Sequence, residues 1–133
     1  MSKYKNGLNA KTFNISLDDF EGETLEAVHK KKRLIGLKVL RGVVLKTPVD
    51  TGRARANWQL SINVPKTDVV NSKQKAGTKA ITDGNRKLKL MKLGEDVYIT
   101  NNLPYIGVLE RGHSKQAPRG MVALTLAEIE ATE

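Results

Sequence analysis

TLEAVHKKKRLIGLKVLRGVVLK, residues 24–46, followed at once by Thr47-Pro48, is the segment from which the architecture can be read. Val28, Ile35, Val39 and Val43 recur at helical spacing on one stripe, and Leu37, Leu40 and Val44 form a second stripe beside it. The C-terminal half is therefore nearly apolar all round, which predicts a helix central to its domain or wedged between subunits. Pro48 has no amide to continue the ladder and drives Thr47 toward extended backbone, so the helix is expected to stop there. Near its start Lys30, Lys31, Lys32 and Arg33 follow one another, and consecutive helical residues point around the axis rather than to one face.

Downstream of the helix comes a turn, Thr47-Pro48-Val49-Asp50-Thr51-Gly52-Arg53. The Asp50 carboxylate is suited to accept a backbone N–H about two residues on, and Gly52 permits a positive φ. Trp58, Leu60, Ile62 and Val64 then alternate with Gln59, Ser61 and Asn63, the period-two mark of a half-buried strand that Pro65 ends. Trp58, the single tryptophan, is expected to anchor the core with its indole N–H on one acceptor. Thr67 to Asn71 reads as a short partner strand. Ser72 to Lys92 is rich in lysine, and Gly77 and Gly84 weaken any helix in it, so a mobile basic excursion is expected over 72–92.

Asp96 to Thr100 predicts a second strand with Val97 and Ile99 on one face. It runs into Asn101-Asn102-Leu103-Pro104-Tyr105, where two asparagines can bond local backbone and Pro104 fixes a corner that presents Tyr105. Val122, Leu126 and Ile129 predict a last helix over Met121 to Ala131. At the other end, residues 1–14 are polar and poorly patterned and read as a flexible arm, while Ser16 with Asp18 and Asp19 suggests a helix start interrupted at Gly22. The fold class is thus α+β: one long N-terminal helix packed on a small, mainly antiparallel sheet, with a short C-terminal helix, in a single domain over 15–133.

Composition narrows the function classes. A chain of 133 residues fits one domain of ordinary size. It has no cysteine, hence no disulfide framework or thiolate metal site, and its two histidines and scattered acids form no chelating set, so no metal or other cofactor is expected. No apolar run is long enough for a membrane span, and the polar start predicts no secretory leader, in keeping with synthesis and assembly in the cytoplasm. Net charge is +9, and it is uneven: residues 1–93 hold 20 lysines and arginines against 8 acids, whereas residues 94–133 hold 3 against 6. A basic body with a mildly acidic end suits a polyanion on one surface or charge-complementary packing between copies. The cations available for DNA backbone or a neighbouring subunit are Lys30, Lys31, Lys32, Arg33, Arg53, Arg55, Lys73, Lys75, Lys79, Arg86, Lys87 and Lys89. No helix-turn-helix, zinc-finger or RNP-type pattern accompanies them, so any contact with DNA would ignore base sequence.

Catalytic constellations are thin. Asp50-Thr51-Gly52 is also the loop of aspartic proteases, whose short forms pair two aspartates across a dimer. That loop normally follows a hydrophobic strand, and here it follows a helix and a proline. Glu110 and His113, with Ser114 beside them, lack the third partner that a triad needs. The expectation is a protein without enzymatic activity.

Taken in order, the apolar helix, Thr-Pro-Val-Asp-Thr-Gly-Arg, Asn57-Trp58, Tyr-Ile-Thr-Asn-Asn-Leu-Pro-Tyr, Glu110-Arg111-Gly112 and Gln-Ala-Pro118-Arg-Gly-Met-Val resemble the neck and tail-completion proteins of tailed bacteriophages, the group with minor tail protein Z-like sequences. The likeness runs from about Leu34 to Ala127. It implies a structural virion protein, a ring-forming subunit joining tail to head connector around the DNA channel. Its partners would be further copies in a hexameric ring, the adjacent connector and tail-tube proteins, and DNA without sequence preference. The resemblance also suggests a helical turn over Tyr105 to Leu109. On this reading Pro48, Asp50, Thr51, Gly52, Trp58, Asn101, Asn102, Pro104, Tyr105, Gly112 and Pro118 shape turns and anchors. Two other readings stand beside it: a nucleic-acid-binding module indifferent to sequence, and a homodimeric aspartic protease acting through Asp50.

Overall fold

The structure is a computed structural model that describes residues 12–15, 22–48, 52–72, 75–104, 106 and 121–132. The long helix forms as its periodicity predicts: α1 spans Leu25–Lys46. Thr24 caps it, its hydroxyl accepting the Ala27 N–H at 3.2 Å, and Glu26 lies in the first turn against the positive end of the helix dipole. Thr47 ends it in extended backbone (φ −75°, ψ 135°), as the following proline requires.

Both apolar stripes of α1 are used. Val28, Ile35, Val39, Leu40, Val43 and Val44 are all buried, so the helix is central to the domain. One neighbour is α3, Thr78–Leu90. A Cβ added at Gly36 would meet Leu88, one at Gly84 would lie 2.2 Å from a Leu40 methyl, and one at Gly77 would lie 2.3 Å from a Val44 methyl. The pairs 36/88, 40/84 and 44/77 run in opposite directions, so α1 and α3 are antiparallel, and Leu40 fills the notch that Gly84 leaves. The other neighbour is α4, Met121–Thr132, where Gly42 admits the side chain of Thr125 and Val122, Leu126 and Ile129 are buried.

The sheet has three strands in the order β1-β3-β2, both pairs antiparallel: β1 is Thr12–Ile15, β2 Gln59–Ile62 and β3 Val97–Thr100. The central strand aligns Val97 with Ile15 and Ile62, and Ile99 with Phe13 and Leu60. Ile15, Leu60, Val97 and Ile99 bury their side chains, and Leu60 also meets α3 beside Gly84. A one-turn helix, α2 (Arg53–Ala56), links α1 to β2; it starts from Gly52 at φ 77°, the left-handed backbone anticipated for that glycine. The α+β architecture, with the long helix packed on the sheet and a helix near the C-terminus, is as expected.

Four details differ from the sequence reading. The arm was expected to reach Asn14, but Thr12–Ile15 pairs with β3 as an edge strand. The segment 72–92, where the glycines weaken any helix, carries the 13-residue α3 packed on α1 and β2; its two glycines are sites of close approach, and Gly77 starts the helix at φ 71°. Thr67 to Asn71 is not a strand but irregular chain. The strand after Trp58 stops at Ile62 because Asn63 turns to φ 68°, leaving Val64 exposed. The helix start at Ser16 and most of the turn at Tyr105 to Leu109 lie outside the described residues.

If Leu40 fills the Gly84 notch, Gly84→Ala should destabilise. Overpacking costs about 1–3 kcal/mol, against a gain of about 0.5–1 kcal/mol from replacing a helical glycine. Urea unfolding checks the net loss; an unchanged or raised midpoint would mean that the two helices do not meet as described.

Candidate functional site

The second turn-rich segment meets the short helix that follows the first. Asn101, fully buried after β3, donates its side-chain amide to the Ala54 carbonyl of α2 at 3.0 Å, and its side-chain oxygen accepts the Leu103 N–H at 3.2 Å. The second contact is the local turn that the asparagine pair suggested. The first joins residues 47 positions apart.

Trp58 anchors the same corner. It is 2% exposed, and its indole N–H donates to the Thr47 hydroxyl at 2.8 Å. The Thr47 hydroxyl in turn donates a hydrogen bond to the Val43 carbonyl at 2.5 Å, so the hydroxyl that ends α1 also satisfies the tryptophan. Pro48 is half-buried beside it, and Pro104 is exposed at the second turn. Asp50, Thr51, Tyr105, Gly112 and Pro118 lie outside the described residues.

Side-chain amides then hold the irregular segment 66–70 to this body. Asn57 donates to the Val70 carbonyl at 2.9 Å and accepts the Val70 N–H at 2.6 Å. Gln59 donates to Asp68 O at 2.9 Å, and Asn102 donates to the carbonyls of Lys66 and Asp68 at 2.9 and 3.0 Å. The sequence reading placed Asn102 in a corner but missed Asn57 and Gln59 as clasps. Their acceptors are backbone carbonyls, which no residue pattern reveals.

The cations divide into structural and exposed groups. Lys32 does not face outward: it is 1% exposed, and its ammonium donates to the Glu95 carbonyl at 2.8 Å and to Asp96 Oδ1 at 3.3 Å, tying α1 to the turn before β3. Arg55 likewise turns inward, its guanidinium donating to the carbonyls of Thr47, Leu45 and Lys75. Its stacked donors suit several carbonyls at once, so both residues leave the set of candidate contacts for DNA or another subunit. Lys30, Lys31, Arg33, Arg53, Lys75, Lys79, Arg86 and Lys89 are exposed, with Lys31 paired to Glu23 and Arg86 to Asp83. Lys73 lies outside the described residues.

Lys87 is intermediate. Its ammonium donates to the Leu60 carbonyl at 3.0 Å. Partial burial lowers its pKa below the ordinary lysine value, and nearby Lys66 lowers it further, with Asp83 opposing.

Apolar surface is exposed as well. Leu34, Val64, Leu90 and Leu93 are each at least half exposed. Leu34, Leu37 and Ile129 line a groove of about 330 Å³ between α1 and α4, together with Lys38, Arg41 and Glu128. Among the described residues no three His, Cys, Asp or Glu side chains are grouped to hold a metal ion, and no helix is long and apolar enough to cross a membrane. Comparison with known protein families, curated proteins and solved structures finds no match for this chain.

The Lys87 shift has a pH signature. Between its lowered folded pKa and the ordinary lysine value of about 10.4, the unfolded chain binds more protons at this residue than the folded one, so stability rises with pH. Below that window the folded state carries the full penalty of a partly buried charge; above it the penalty is gone. Unfolding curves of wild type and Lys87→Met across alkaline pH should therefore show the wild type gaining on the variant as pH rises. A difference that stays constant would contradict the shift.

Proposed function

We propose that the protein is a structural subunit of a tailed-bacteriophage virion, a neck or tail-completion protein that forms a ring around the DNA channel and joins tail to head connector. The observation that carries this reading is the corner. Asn101, in the Asn-Asn-Leu-Pro segment that bears part of the resemblance, holds Ala54, the residue after the Thr-Pro-Val-Asp-Thr-Gly-Arg segment that bears another part, and Trp58 holds Thr47 at that segment's start. Among the described residues of these segments, the side chains of Thr47, Asn101 and Asn102 are spent on shape, bonding backbone and the Trp58 indole.

The outer surface supports the same reading. Exposed Leu34 in the groove between α1 and α4, and exposed Val64, Leu90 and Leu93 elsewhere, suit contacts between copies, since apolar side chains left in water gain when a neighbour covers them. Exposed lysines and arginines on α3 suit a channel that passes DNA as a charged rod rather than as a sequence, and those on α1 suit charge-complementary contacts with neighbouring subunits. The subunit would act in the virion after assembly in the host cytoplasm, with connector and tail-tube proteins as neighbours.

Negative-stain microscopy of the purified protein, alone and mixed with tail tubes, tests the proposal: rings or capped tubes are expected. Dimers only, together with peptide cleavage that disappears in Asp50→Asn, would replace it with the protease reading.

A further inference from the structure

A second groove, of about 610 Å³, opens between α3 and the corner after β2; Ser61, Ile62, Val64, Lys66, Asp68 and Lys87 line it. Lys66 reaches it from the exposed segment and Lys87 from the half-buried side of α3. Neither ammonium has a carboxylate within 4.0 Å among the described residues. The ion pairs in this part of the molecule stop at Arg86 with Asp83, 3.5 Å apart. Lys87 gives one hydrogen bond to the Leu60 carbonyl, and an ammonium carries three donors.

We propose that this groove seats a phosphodiester group of duplex DNA between Lys66 and Lys87. Two cations without a direct ion pair line one concavity that holds a single carboxylate, which leaves the local potential positive. Asp68 also lines the groove, but among the charges acting on Lys87 it ranks below Lys66, Asp83 and Arg86, and Asp83 is already engaged by Arg86. The residual sign is positive. An incoming anion would offset the partial desolvation of Lys87 and the mutual repulsion of the two lysines. Lysine binds phosphate as a point charge without demanding a fixed approach, which suits a backbone whose phosphates pass in any sequence. Arg86 and Lys89 are exposed elsewhere on α3.

This inference deepens the proposed function by naming the surface that meets DNA. It is measured on the isolated subunit, so failure to form rings and failure to bind through this groove are separate outcomes. Fluorescence anisotropy with a labelled duplex over a range of salt reads the number of phosphates neutralised, at about 0.9 in the log–log slope for each. Lys66→Gln with Lys87→Gln should lower the slope by up to about 1.8, whereas Lys30→Gln with Arg33→Gln, an equal loss of charge on α1, should leave it unchanged. Lys66→Gln alone alters only an exposed side chain and should give about half the effect, which guards against a misfolded double variant. Equal slope losses from the α1 and groove pairs would show diffuse attraction and overturn the assignment. Titration with inorganic phosphate distinguishes the other source: tight binding of free phosphate that the groove pair abolishes, with the duplex slope intact, would also overturn it.

Discussion

The hydrogen bond from the Asn101 side chain to the Ala54 carbonyl is the constraint on which the rest of the corner depends. Ala54 sits in a four-residue helix that could not hold itself, since one turn fixes several dihedral angles for very few bonds. Asn101 lies at the end of the central strand and is inaccessible to water. Its amide therefore transfers the rigidity of the sheet to α2, and α2 in turn sets the entry of Trp58 into the core. A buried donor or acceptor left without its partner costs about 1–3 kcal/mol, so the tie is specific as well as stabilising. Thr47 completes the circuit by receiving the indole N–H at the foot of α1.

Around this corner the packing is set by what glycine leaves out. Leu40 occupies the space beside Gly84, and Thr125 the space beside Gly42, so α1 draws α3 and α4 close on two sides. Close-packed interiors tolerate little added volume, which makes these glycines determinants of helix position. The internal use of Lys32 and Arg55 follows the same economy: each places its charge on carbonyls that close a helix end or a turn, and the remaining cations stay on the surface where a polyanion or a neighbouring copy can meet them.

Much of this was legible in the chain. Apolar periodicity located α1, β3 and α4, and the proline after Thr47 marked the end of α1. Alternation located β2, and Gly52 was read as a positive-φ residue. What escaped reading shares one physical cause, dependence on partners far away in sequence. Gly77 and Gly84 weaken α3 by local propensity, and only the side chains of Val44 and Leu40 show why they are required. Thr12–Ile15 is too short to stand alone and exists as a strand because β3 offers it an edge. The run of four cations looked uniform, yet Lys32 meets a carbonyl 63 residues away. Asn57 and Gln59 hold carbonyls of the segment 66–70, and a carbonyl acceptor carries no residue identity to recognise.

The claim that two distant turns form a single structural corner is tested most directly by hydrogen exchange on Asn101→Ala. The amides of Ala56, Asn57 and Trp58, which donate to Gly52, Ala54 and Arg55, report on α2, and the Leu103 amide reports on the second turn. The account predicts that all four lose protection together while the amides within α1 keep theirs. Loss confined to Leu103, with Ala56, Asn57 and Trp58 as protected as in the wild type, would contradict it.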